Sequence, residues 1–152
     1  MPESGTPLES ARVMDTLYQH AEAMDTKDWG AFRGVLADEI DIDYSTHRPG
    51  QVFTTSADEW TAHVARRLSR LTATQHCVSN PRVEVAGATA RATAYIRAEH
   101  VLGRGAEQRR YTIGGRYLDR LVLDGDRWLL TAVTLDAWWY DGDRSVLELP
   151  PE

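Results

Sequence analysis

His76 and His100 lie on two consecutive segments with strand-like alternation, and Asp25 and Tyr44 lie on elements that precede them. These residue types suit one chemistry. An imidazole accepts and returns protons near neutral pH. A carboxylate bonded to one ring nitrogen orients the imidazole and favours proton uptake at the other. A phenol can polarise a substrate carbonyl, or it can simply bond a buried backbone group. Each residue also has a plainer reading. A lone histidine on an apolar face is usually a core residue with satisfied polar atoms. Asp25 could cap a helix, with Asp28 three positions on. The chemical reading needs Asp25 and His76 to meet inside a closed apolar chamber.

Elements to hold such a chamber can be read from the chain. Thr6-Pro7-Leu8-Glu9 is a capping box with proline at the first helical position. Val13, Leu17, Ala21 and Met24 follow at helical spacing and predict a buried stripe, which Asp25 continues. Asp25 to Trp29 predicts a break and then a second short helix to about Leu36. Ser56-Ala57-Asp58-Glu59 opens a third helix to about Leu71, with Trp60, Val64 and Leu68 on one face. Between them, Glu39 to His47 alternates, with Ile40, Ile42 and Tyr44 on one side. Gln51 to Thr55 reads as its short partner.

From Thr74 on, the turns at Ala86-Gly87, Gly103-Arg104-Gly105 and Asp124-Gly125 divide four strands, about 74–85, 89–102, 108–123 and 127–140. A flat strand of this length would span roughly 46 Å, too long for a small domain, so the sheet must curl. Ala90, Ala92, Ala94, Ile96, Ala98 and His100 form its small, apolar inward face. Thr74, His76 and Val78 are expected beside them, while Cys77 alternates outward. The fold class is α+β: three N-terminal helices packed in the concave face of a strongly curved, mainly antiparallel sheet. One domain is expected over 1–152, with a core at about 8–140 and a tail from 141 that frays at Leu147 to Glu152. His20, His47 and His63 fall on helix surfaces or turns and receive no role.

Composition narrows the function. The 152 residues are 42% hydrophobic and 26% charged, with net charge −6. This argues against nucleic acid and anionic membranes, both of which favour a basic face. No apolar run approaches the ~20 residues of a membrane span. The single cysteine excludes an intrachain disulfide and a cysteine-rich zinc site. With a polar start lacking a signal pattern, the chain reads as cytoplasmic. The last strand is apolar in both phases, so a second copy is expected over the outer face of the sheet, as a dimer or trimer.

Several motifs, in order, resemble the SnoaL-like proteins, of the superfamily with the nuclear-transport-factor cone fold, and among them the scytalone dehydratase branch. They are Tyr18 with Ala23-Met24-Asp25-Thr26-Lys27-Asp28-Trp29, Ile42-Asp43-Tyr44, Thr74-Gln75-His76, His100, Gly114-Gly115-Arg116-Tyr117, and Asp124-Gly125 with Trp128. The resemblance covers about residues 8–140. It implies that His76 is the main acid/base, that Asp25 pairs with the histidines, that Tyr44 reaches the substrate carbonyl through water, and that His100 is the second histidine. It implies no cofactor and no metal. The His76–Asp25 pair is also similar to the dyad of a dehydrochlorinase in the superfamily. Met24 stands where the dehydratases have a second tyrosine, and Gly114 and Arg116 where they have polar Ser and Asn, so the substrate is expected to differ from scytalone.

The expected activity is a cofactor-free dehydratase acting next to a carbonyl on a small aromatic or polyketide-like molecule. Met24, Ala98, Trp138 and Arg116 are expected to contact it, Arg116 holding an enolate or carboxylate if it points inward. Three alternatives stay open: an isomerase or cyclase using the same groups, a two-histidine-one-carboxylate iron site, and a non-catalytic small-molecule-binding module.

Overall fold

The computed structural model describes residues 5–150. Helix α1 (Pro7–Thr26) begins where the capping box places it, with the Glu9 N–H donating to Thr6 Oγ1 at 3.2 Å. It runs through Asp25 without a break and ends at Lys27, whose left-handed conformation closes the last turn. Helix α2 (Trp29–Gly34) is capped by Asp28, which accepts from the Ala31 N–H at 2.9 Å. Asp25 is therefore free of any capping duty. It is followed by β1 (Leu36–Asp43), β2 (Val52–Ser56) and α3 (Ala57–Leu68), the last capped by Ser56.

Four long strands complete the chain: β3 (Ala73–Ala86), β4 (Thr89–Leu102), β5 (Arg109–Asp124) and β6 (Arg127–Gly142). The sheet order is β2-β1-β6-β5-β4-β3. All neighbours are antiparallel except β1 and β6, which run parallel, so the sheet is mixed. It is curled but not closed. Register shifts at Ser79/Arg82, Gly114/Gly115 and Arg120/Leu121 bend strands that would otherwise outrun the core.

The helices fill the concave side. Val13, Leu17 and Met24 of α1, Phe32 of α2 and Trp60 of α3 are buried against Ile40, Ile42 and the even face of β4. Every inward residue of that face from Ala90 to His100 is buried, as its alternation predicts. The chain's end departs from expectation. Leu147, where fraying was expected to begin, is nearly buried beside fully buried Val146, in a short 3₁₀ turn (Arg144–Leu147). Three guanidiniums hold it through backbone carbonyls: Arg70 on Val146 and Glu148, Arg67 and Arg48 on Leu147. Pro151 and Glu152 lie outside the described residues. Among the described residues no helix is long and apolar enough to cross a membrane.

Candidate active site

Asp25 occupies the final turn of α1, facing β3. The turn is fixed from below: Lys27 Nζ donates to the Leu71 carbonyl at 2.6 Å and the Ser69 carbonyl at 3.3 Å. β3 is an outer strand of the sheet, so alternate backbone N–H groups along it lack a ladder partner. Asp25 takes one of them. The His76 N–H donates to Asp25 Oδ2 at 2.8 Å, His76 Nδ1 lies 2.7 Å from Oδ1, and Thr74 Oγ1 donates to Oδ1 at 3.0 Å. The side chains are 5% exposed at His76 and 21% at Asp25, so the imidazole is shielded from bulk water while the carboxylate keeps one edge toward an outer groove. Burial pushes the Asp25 pKa up, but the bonds from the His76 ring, the His76 backbone and Thr74 outweigh it and hold the carboxyl below its ordinary value. An ionised Asp25 accepts from Nδ1–H, which leaves the Nε2 lone pair of neutral His76 for the cavity.

That cavity measures about 100 Å³ and is walled mainly by apolar and aromatic side chains, with a few polar groups among them. His100 and His76 both line it, ring centroids 5.7 Å apart and nearly perpendicular. His100 Nδ1 is 3.0 Å from the Tyr111 carbonyl, which can only accept. Nδ1 therefore carries the proton, and Nε2 faces the cavity as an acceptor. Burial, and then His76, push the His100 pKa down to about 4, against the Tyr111 bond. Tyr44 lies one residue past the end of β1, its ring edge-on to Trp60 at 5.6 Å. Its hydroxyl and that of Tyr117 face one another, and burial pushes both pKa values up, so both stay neutral donors. Behind them Asp119 is buried with Oδ1 unpartnered among the described residues, and burial raises its pKa well above the carboxylate range.

Met24 and Ala98 line the cavity as expected. Arg116 and Trp138 do not. Arg116 lies on the outer face of the sheet, bonded through Nε to Asp136 at 3.0 Å, with its guanidinium over the Trp138 ring. Trp138 is 53% exposed there. The alternation of Ile113, Tyr117 and Leu121 explains this: odd positions of β5 face in, so Tyr117 enters the cavity and Arg116 leaves it.

The histidines set aside in the sequence are also inside. His20 is buried, stacked on Phe32 at 5.1 Å and edge-on to Tyr117 at 6.2 Å. The spacing Val13, Leu17, His20, Met24 carries that signal. His63 shares the α3 face of Trp60 and stacks on it at 5.2 Å. His47 is buried between Tyr111 and Tyr140. No local pattern announced it, because it follows the end of β1. Among the described residues no three side chains of ligand type are placed together to hold a metal ion.

The model of the SnoaL-like domain family matches residues 8–134. No curated protein matches the chain by sequence. Solved structures do. A protein of Kribbella flavida is 25% identical, with TM-score 0.80 over 86% of this chain and 91% of that one. A protein of Novosphingobium aromaticivorans, provisionally described as a scytalone dehydratase, is 14% identical, with TM-score 0.78 over 90% and 89%. A hexachlorocyclohexane dehydrochlorinase of Novosphingobium barchaimii is 14% identical, with TM-score 0.72 over 95% and 96%. At such identities the last two speak to the fold alone, the cone-like α+β fold of the nuclear-transport-factor type.

Proposed function

We propose that this chain, which belongs to the SnoaL-like family, is a cofactor-free lyase of the dehydratase type, acting next to a carbonyl on a small aromatic or polyketide-like substrate. The observation that carries the reading is the Asp25–His76 contact at 2.7 Å, with the His76 ring on the wall of an apolar cavity and Asp25 behind it. Similar structures described as a dehydratase and a dehydrochlorinase, both eliminating enzymes, support it.

His76 Nε2 takes a proton from the carbon next to the ketone, and the C–H electrons pass to the carbonyl oxygen as an enolate. Asp25 bonds the Nδ1–H and offsets the imidazolium charge that forms. Tyr44, a neutral donor that itself accepts from Tyr117, stabilises the enolate oxygen. The enolate then collapses, the C–O bond on the next carbon breaks, and the imidazolium returns its proton to the departing hydroxyl. Water and an α,β-unsaturated ketone result, with His76 neutral again. His100 presents an acceptor, so its part is to hold a substrate hydroxyl and not to donate to the oxyanion.

The test is mass spectrometry in heavy water on a panel of aromatic β-hydroxy ketones. The parent protein should exchange the α-proton and release water. His76→Ala should abolish exchange, and Asp25→Asn should slow it by about 10²–10⁴-fold. Exchange at the parent rate in both variants would overturn the reading.

A further inference from the structure

The partly exposed Arg48 and Arg67 line the mouth of the cavity, and among the described residues no aspartate or glutamate lines it, in a chain of net charge −6. Among the described residues neither arginine belongs to an ion pair. Both reach the same atom, the Leu147 carbonyl oxygen, Arg67 Nη1 at 3.0 Å and Arg48 Nη2 at 3.5 Å. Arg67 Nε also donates to His63 Nε2 at 3.2 Å. A guanidinium has five N–H donors, so most of the donors here have no described protein acceptor. The positive field is felt nearby. Burial and then Arg67 push the His63 pKa down, and burial with Arg144, Arg48 and Arg67 brings His47 to about 4. A neutral carbonyl offsets little of two converging charges, whereas a carboxylate matches the guanidinium fork in charge and shape.

We propose that Arg48 and Arg67 form a carboxylate-binding subsite at the mouth, so that the substrate is an acid bearing its carboxylate away from the reacting carbonyl. The proposal rests on the dyad reading only for what lies at the other end of the substrate. The anionic end lies against α3 and the turn after β1, and the carbonyl end reaches inward to His76 and Tyr44. Arg116, the sequence's candidate for this task, is paired with Asp136 on the other face of the sheet.

The test is calorimetric binding of cinnamate and of its neutral isostere cinnamamide to the full chain at low salt. The parent should prefer cinnamate by roughly ten- to a hundredfold. Arg48→Gln and Arg67→Gln should each erase most of that preference while leaving cinnamamide affinity unchanged, which also reports an intact cavity. If Arg67→Gln loses both ligands through its hold on Leu147, Arg48→Gln decides. Equal binding of the two probes by the parent, or a preference that survives both substitutions, overturns the subsite. Phenyl phosphate bound more tightly than cinnamate overturns the carboxylate assignment. His76→Ala separates the two ideas: it should keep the cinnamate preference while losing proton exchange. A kept preference with kept exchange sinks the dyad and spares the subsite.

Discussion

All five histidines of the chain line one cavity, and among the described residues only His76 meets a carboxylate. Burial holds the neutral form in three of the others, bringing His20 to about 3 and His47 and His100 to about 4. His76 is thus set apart by its carboxylate partner from neighbours that burial keeps neutral. It has a cost that can be measured. Below the ordinary histidine value of 6.5 the unfolded chain takes up protons at these positions and the folded one does not. Stability therefore falls as pH drops from 6.5 toward 4, and for His20 toward 3. Asp25 acts lower, because its depressed pKa keeps its contribution until the pH falls through that value. Asp119, raised by burial, acts in the opposite sense, one group against these three and His63, whose pKa is also lowered. The thermal midpoint should drop between about pH 7 and pH 5, and His47→Phe, which fits between Tyr111 and Tyr140 and removes two unpartnered ring nitrogens, should flatten the drop. A profile that is level, or rises toward acid, would contradict the assignment of three buried neutral imidazoles.

Period-two alternation placed whole faces of the sheet correctly wherever the strand was regular. Ala90 to His100 needed nothing else, and Ile40, Ile42 and Tyr44 followed the same rule past the end of β1. It fails at bulges, where one extra residue breaks the period. At Gly114/Gly115 two residues of β6 meet the space of one, so Trp138 and Trp139 both emerge on the outer face. Nothing in a Trp-Trp pair says which of the two is the inserted one. Tertiary burial was likewise silent for His47, and for the tail, whose carbonyls are held by arginines from distant elements. The bulge explains one glycine. Trp139 lies flat over Gly114, and a Cβ there would overlap its indole. Gly114→Ala should cost roughly 1–3 kcal/mol in denaturant unfolding by forcing the ring off its seat. With Trp139→Ala already in place the same substitution should cost almost nothing, and simple additivity of the two would exclude this account.

At the scale of the whole molecule, the family, the fold class and the Asp25–His76 meeting were legible, because the order of caps, long strands and turns leaves few ways to fill a curled sheet. The side of the sheet away from the helices is less ordinary. Tyr95, Trp138 and Trp139 stand 50%, 53% and 43% exposed around the bulge, with Arg116 over Trp138 and Arg97 over Trp139. Clustered aromatics rimmed by charge are what an interface presents when its partner is missing, whereas scattered single exposed residues need no partner. We propose a second copy of this chain as its occupant. The rim carries both signs, Arg97 with Glu99 and Arg116 with Asp136, so the patch can face its own image about a symmetry axis without leaving like charges opposed. The cavity opens on the opposite side of the sheet, so association and ligand binding are separable. Sedimentation equilibrium should report a dimer for the parent. Trp138→Ser with Tyr95→Ser should shift it toward monomer while leaving cinnamamide binding in place. A monomeric parent, or an assembly indifferent to both substitutions, would remove the outer face as the contact.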